Sequence, residues 1–147
     1  MNQDYKNIMK LENQLCFPLY AASRLVTSKY TKLLKPIGLT YTQYVVFLVL
    51  WEKDGISIGQ LCEKLFLDNG TITPIIKKLQ KAGYVERYRN PEDDRVVLIY
   101  LTEDGKNLQQ KVKDIPKKIV SCIELSDMQK KQLYDILYEF LDSQNKK

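Results

Sequence analysis

Apolar residues recur three and four positions apart through most of this chain, and two β-type runs interrupt that rhythm late in its middle third. Leu15, Leu19, Ala22, Val26 and Leu33 predict a first helix within Asn13–Leu34. Pro18 is tolerated only near a helix start, so this helix should begin near Gln14 to Phe17, with Cys16 in its first turn. After the break at Pro36–Gly38, Thr40 and Gln43 form a capping box for a helix opening at Tyr41. The run Tyr44–Trp51 is apolar nearly all round and should centre the core, with Trp51 as packing. Ser57 and Gln60 have capping-box spacing ahead of Ile58, Leu61, Cys62, Leu65 and Phe66, where Cys62 is expected to be a buried structural thiol. A turn at Leu67–Gly70 leads into a helix over Asp68–Tyr84, with Ile72, Ile75, Ile76 and Leu79 as its apolar stripe and Gly83 as its stop. Pro74 should lie within about its first turn. YVERYR and VVLIYL flank NPEDDR and predict a hairpin. Thr102 should cap a long helix to about Ser121, bent at Pro116. Ser126 and Gln129 cap a last helix whose apolar face is Met128, Leu133, Ile136, Leu137, Phe140 and Leu141. Met1–Lys10 and Asn145–Lys147 should be frayed ends.

These elements predict a mainly α fold with a small β wing (α+β). Two helices joined by a turn, followed by a hairpin, make a winged helix-turn-helix, a composite more specific than any of its parts. A length of 147 residues suits one domain, 1–147, with the winged region at 40–101. The terminal helices, 11–35 and 103–143, have few partners in so small a monomer. They form the expected dimerisation region of a two-fold homodimer.

Charge sharpens one part of this reading. The net +5 is mild, but Lys77, Lys78, Lys81, Arg87 and Arg89 face only Glu86 between residues 71 and 89. Alone, such a run reads first as a solvated helix face. The helix start adds Asn69, Gly70, Thr71, Thr73 and Pro74, a polar, hydroxyl-bearing tip suited to phosphates and base edges, with Lys77 and Lys78 on the flank. Double-stranded DNA, as a pseudopalindromic operator, is the partner this arrangement fits.

The chain has no histidine, which removes Ser-His-Asp and Cys-His catalysis and mixed Cys/His zinc sites. Three scattered cysteines cannot supply a four-thiolate site, and no Walker loop or GxGxxG is present. No enzyme, metal or cofactor is expected. Without a signal peptide or a spanning apolar run, the expectation is a soluble cytoplasmic protein with no membrane partner and mostly reduced thiols.

The run LFLDNGTITPIIKKLQKAGYVERYRNPEDDRVVLIYLTEDG resembles the MarR family of winged-helix repressors. LENQLCFPLY with LTYTQY narrows the resemblance to the peroxide-sensing OhrR branch. From local sequence, Cys16 is either an inert core thiol or a reactive one favoured by a helix N-terminus. The resemblance implies the second, because Cys16 matches the family's sensing cysteine. It also implies that Tyr30 and Tyr41 donate to that sulfur across the dimer and that Tyr20 lines the pocket, although tyrosines at such spacing also suit a core. Pro18 departs from the family pattern and bears on where Cys16 sits. Cys122 either packs beside Ile119 and Ile123 or, where two-cysteine relatives carry a resolving thiol, closes an intersubunit disulfide with Cys16. Asp93 and Arg95 match the Asp-x-Arg of a MarR wing, which implies that Arg95 enters a minor groove while Asp93 orients it by a charge-assisted bond. The function implied is a redox-sensing repressor that releases its operator when Cys16 is oxidised. The alternatives are a repressor controlled by a small phenolic ligand and a thiol peroxidase.

Overall fold

The computed structural model describes residues 4–145. They form two compact units that part between Tyr41 and Thr42. The first unit holds α1 (Asp4–Ile8), a 3-10 turn at Leu11–Asn13, α2 (Cys16–Leu34) and a second 3-10 turn at Lys35–Ile37. The segment expected to fray is helical from Asp4 onward. The amide of Asn13 donates to the Asn7 carbonyl at 2.7 Å and that of Gln14 to the Ile8 carbonyl, so two side chains close the end of α1. Met1–Gln3 and residues 146–147 lie outside the described residues. α2 begins where Pro18 requires, with the proline at the third helical position, whose N–H would have no partner within the helix. Of the α2 residues only Leu34 is fully buried, and Leu19 and Leu25 are exposed, as is Leu15 just before the helix.

The chain enters the second unit along α3 (Tyr41–Glu52), which buries Tyr44, Val46, Phe47, Val49 and Leu50. Burial of each such side chain is worth about 1.5–3 kcal/mol. Phe47 stacks on Trp51 at 5.2 Å and meets the edge of Tyr84 at 5.8 Å. β1 (Ile56–Ser57), α4 (Ile58–Leu65) and α5 (Asn69–Lys81) follow, then the hairpin of β2 (Val85–Asn90) and β3 (Asp93–Leu101). The strands pair antiparallel in the order β1-β3-β2, with Ile56 opposite Ile99 and Val85 opposite Leu101. β1 was not expected from the sequence, since two residues carry no periodic signal. A carboxylate oxygen of Asp54 accepts from the Leu101 N–H at 2.9 Å and so ties the loop before β1 to the far end of β3.

The base of the wing is a tight junction with α6 (Glu103–Val112). Thr102 Oγ1 accepts from the Gly105 N–H at 3.1 Å, while its hydroxyl donates to the Gly83 carbonyl at 2.7 Å. A Cβ at Gly105 would lie 2.2 Å from the Tyr84 carbonyl oxygen, so glycine is required there. The Trp51 indole N–H donates to the Gly105 carbonyl at 3.0 Å, giving Trp51 a polar role besides packing.

Beyond α6 the expected single bent helix is two. α6 ends at Val112 and α7 (Ile115–Ser121) begins anew, with Pro116 in its first turn. A proline there lacks only an N–H that has no helical acceptor, so it starts a helix more readily than it bends one. The Ser126–Gln129 capping box opens α8 (Asp127–Asn145) as expected, with reciprocal bonds of 3.2 and 2.9 Å. α8 buries none of its residues fully. Among the described residues no single helix is long and apolar enough to cross a membrane.

Candidate nucleic-acid interface and thiol sites

The local sequence around α4 and α5 explains how the reading elements are held. Ser57 accepts from Gln60 N at 3.1 Å and Gln60 Oε1 from Ser57 N at 2.9 Å, the reciprocal capping box. α4 then stops at Phe66, which takes a left-handed conformation with φ 53°. Asp68 caps α5 by accepting from the Thr71 N–H at 2.8 Å. Its other oxygen accepts from the Thr71 hydroxyl at 3.3 Å, so Thr71 serves the cap in this chain rather than presenting a free hydroxyl. Ile72, Ile76 and Leu79 are buried, and Lys77, Lys78 and Lys81 are exposed on the opposite side. Gly83, at φ 80°, lies just past the end as expected.

Two expectations for this region need correction. Pro74 is the sixth residue of α5, past the first turn, because the Asp68 cap starts the helix at Asn69. A proline inside a helix costs about 3 kcal/mol, which the cap and the buried isoleucines offset. Cys62 is only partly buried. Leu61 takes the inner face of α4, and Cys62, one position round, donates its S–H to Asn69 Oδ1 at 3.3 Å. Partial burial, then the nearby Asp68 carboxylate, push the Cys62 thiol up.

The front of α5 and the turn end of β3 converge. Asn69 and Thr73 of α5 line a cleft of about 350 Å³ together with Ser57, Gly59 and Arg95. At the far end of α5, the Arg87 guanidinium donates to Gln80 Oε1 at 2.7 Å and links β2 to the helix. Sequence offered no signal for the Gln80–Arg87 link, which joins residues across the turn. Asp93 accepts from the main-chain N–H of Arg95 at 3.0 Å. The expected charge-assisted bond to the guanidinium is therefore replaced by a backbone bond. Asp93 shapes the turn, where the register shifts at Arg89/Asn90. The Arg95 side chain is left exposed at the cleft.

The thiols are accessible. Cys16, the first residue of α2, is exposed, and the preceding Leu15 makes no side-chain cap there. Tyr20, one turn on, is exposed with the Arg24 guanidinium 5.4 Å from its ring centre. Tyr30 and Tyr41 pair at 4.6 Å, and burial pushes the Tyr41 phenol up, so it stays a protonated donor. Tyr30 lies fourteen residues along α2 from Cys16, about 21 Å at helical rise. Within one chain, then, Cys16 and the Tyr30–Tyr41 pair are apart. Cys122 ends α7, its N–H on the Ile119 carbonyl at 3.0 Å. Ile119 is buried, but Cys122 is exposed. Among the described residues no three His, Cys, Asp or Glu side chains are grouped to hold a metal ion.

Residues 28–112 match the family model described as transcriptional regulator SarA/Rot. The organic hydroperoxide resistance transcriptional regulator of Bacillus subtilis (strain 168) is 45% identical over 139 residues, 95% of each chain. SarZ of Staphylococcus haemolyticus is 42% identical over 127 residues, 86% of each. AbfR has been solved in several redox forms. Reduced AbfR bound to DNA is 35% identical with a TM-score of 0.77, covering 95% of this chain and 97% of that one. Overoxidised AbfR bound to DNA is 37% identical at 0.75, covering 95% and 98%. Disulfide-formed AbfR is 34% identical at 0.65, covering 97% and 98%. A three-stranded antiparallel wing behind a capped reading helix, and this identity over nearly the whole chain, lead to one assignment: the chain belongs to the SarA/Rot family of transcriptional regulators, as a winged-helix protein of the OhrR and SarZ type.

Proposed function

We propose that this chain is a redox-sensing, DNA-binding transcriptional repressor that occupies a pseudopalindromic operator as a two-fold homodimer. The observation that carries the DNA-binding part is the convergence of Asn69, Thr73 and Arg95 on one cleft, beside exposed Lys77 and Lys78. A helix front that reads base edges and an arginine that reaches the neighbouring groove are then presented together. The relatives support the regulatory reading, since reduced AbfR was solved on DNA and the B. subtilis protein is named for organic hydroperoxide resistance. The dimer is supported by the apolar residues that α2 and α8 leave uncovered in one chain.

In this reading Cys16 is the sensor. Its thiolate attacks the terminal oxygen of a hydroperoxide, the O–O bond breaks, an alcohol leaves and Cys16 becomes a sulfenic acid. Tyr30 and Tyr41 of the partner subunit serve as donors to that sulfur, which fits their distance from Cys16 within one chain. The Cys122 thiol of the partner then displaces the hydroxyl as water and closes a disulfide. Both thiols are exposed, and AbfR was solved in a disulfide form. The overoxidised form of AbfR was solved on DNA, which favours the disulfide over added charge as the releasing event.

The test is an operator gel shift with and without an organic hydroperoxide, repeated after thiol reduction. Wild type should leave the DNA on oxidation and return on reduction, with a covalent dimer on non-reducing gels. Cys16→Ser should stay bound throughout. Cys122→Ser should lose the covalent dimer, and Cys62→Ser should keep it. Release of oxidised Cys16→Ser would end the sensor assignment. A cleft of about 460 Å³ lined by Tyr44, Leu48, Trp51, Gln109, Val112 and Pro116 favours a second reading, control by a small phenolic ligand. Peroxide-independent release by a phenolic acid in Cys16→Ser would support that instead. Repeated peroxide turnover with a thiol reductant would point to a peroxidase.

A further inference from the structure

Leu61 fills the core from α4, and Cys62, one position round, is only partly buried. Its polar contact is with the reading helix. The Cys62 S–H donates to Asn69 Oδ1 at 3.3 Å, across the turn that joins α4 to α5. Asp68, the carboxylate beside them, is taken up by the N–H and hydroxyl of Thr71. Burial, then that carboxylate, push the Cys62 thiol up, so near neutral pH it keeps the proton it donates. Asn69 is the first residue of α5, is exposed, and lines the cleft with Thr73 and Arg95. An asparagine amide accepts at one end and donates at the other. With Oδ1 turned back to α4, the uncommitted end is Nδ2, which donates to nothing among the described residues. A free asparagine pairs with adenine through both ends, accepting from N6 while donating to N7. Held as it is here, Asn69 offers donors alone.

We propose that Cys62 is a positioning residue for DNA recognition, whose thiol holds Asn69 as a donor-only reader at one base pair of each half-site. Guanine O6 and thymine O4 are the keto oxygens displayed in the major groove, and adenine N6 and cytosine N4 the amino groups. Asn69 Nδ2 selects the first pair of bases against the second. Cys62 itself touches no base. This inference rests on the DNA-binding reading above.

The probe is a duplex selected in vitro from random sequence by the reduced wild-type protein. Each base pair is then exchanged in turn for the other three. Wild type should lose affinity about 5- to 10-fold when adenine or cytosine replaces the keto base at one position, the effect of one hydrogen bond. Asn69→Ala should lose this preference, which identifies the position. In Cys62→Ala the freed amide should turn and pair with adenine, so adenine is bound there about as well as the keto base. Cys62→Ser, which keeps a donor, should still reject adenine. Adding Cys62→Ala to Asn69→Ala should cost nothing more at that position, because the two residues act through one contact. Loss of packing alone would produce neither the gain of adenine nor its reversal by serine. The proposal is overturned if Cys62→Ala still rejects adenine there, if Cys62→Ser accepts it, or if Asn69→Ala changes no preference. If wild type selects no sequence at all, the DNA-binding reading fails first, and the two failures are distinguishable.

Discussion

α3 and α8 are both rich in apolar residues, yet they end in opposite environments. Over twelve residues α3 buries five side chains, and its Phe47 stacks on its own Trp51 and meets the edge of Tyr84. Over nineteen residues α8 buries none fully, and Met128, Ile136 and Phe140 are 69%, 63% and 52% exposed. The hydropathy of one helix is satisfied within its own chain. That of the other is left unsatisfied, as is most of α2, where Leu25 is 66% exposed. Single exposed apolar residues need no explanation, but helices that expose whole apolar faces point to a second chain. Stability of the winged region and the self-association we propose are therefore separable properties.

The strongest way to break that separation is Ile136→Asp with Phe140→Asp. We expect the variant to sediment as a monomer and lose operator binding by more than about 100-fold, because a single half-site gives up half the contacts. Its near-ultraviolet signal from Trp51 should be kept. Collapse of that signal would mean α8 is integral to the winged fold. The converse is Phe47→Ala, which should lower unfolding stability by about 3–5 kcal/mol, with the loss visible in thermal melting before any change in assembly. A dimer that dissociates while the core stays intact would reverse the roles given to the two helices.

Gly105→Ala sharpens the picture at the wing base. Its Cβ would need to move a carbonyl 2.2 Å away, and we expect about 1–3 kcal/mol of destabilisation from overpacking. The smallest effects lie at the interface itself. Arg95→Ala should weaken operator binding about 10-fold with the melting temperature unchanged, since its guanidinium is exposed. Replacing Lys77 and Lys78 together by alanine should reduce the slope of log affinity against log salt by about 2. An unchanged slope would mean that these lysines face away from the phosphates. At Cys62 the raised pKa leaves less thiolate near pH 8 than free cysteine has. Its alkylation there should be slower, and Asp68→Asn should partly restore it.

Much of this was legible in the sequence because it is local. Capping boxes at Ser57–Gln60 and Ser126–Gln129, the Asp68 and Thr102 caps, and the Gly83 stop depend on residues within four positions of one another. The hydrophobic period marked α3 as core and α5 as two-faced for the same reason. The turn chemistry of NPEDDR likewise located the hairpin. Cysteine and tyrosine positions were readable as residue types, though their roles came from resemblance.

Contacts distant in sequence were decided by tertiary structure. β1 exists only because Ile56 meets Ile99 and Asp54 meets Leu101. Trp51 gains its bond from Gly105, and Gln80 meets Arg87 across the turn. Pro74 was expected in the first turn because propensity disfavours it anywhere else, and burial of Ile72, Ile76 and Leu79 overrode that preference. Cys62 was expected inside because its spacing matched the stripe, but a helix of eight residues has room for few inward positions and Leu61 took the one beside it. A sequence period states which residues share a face. Which edge of that face meets a neighbour depends on where the neighbour lies, and only the folded chain supplies that.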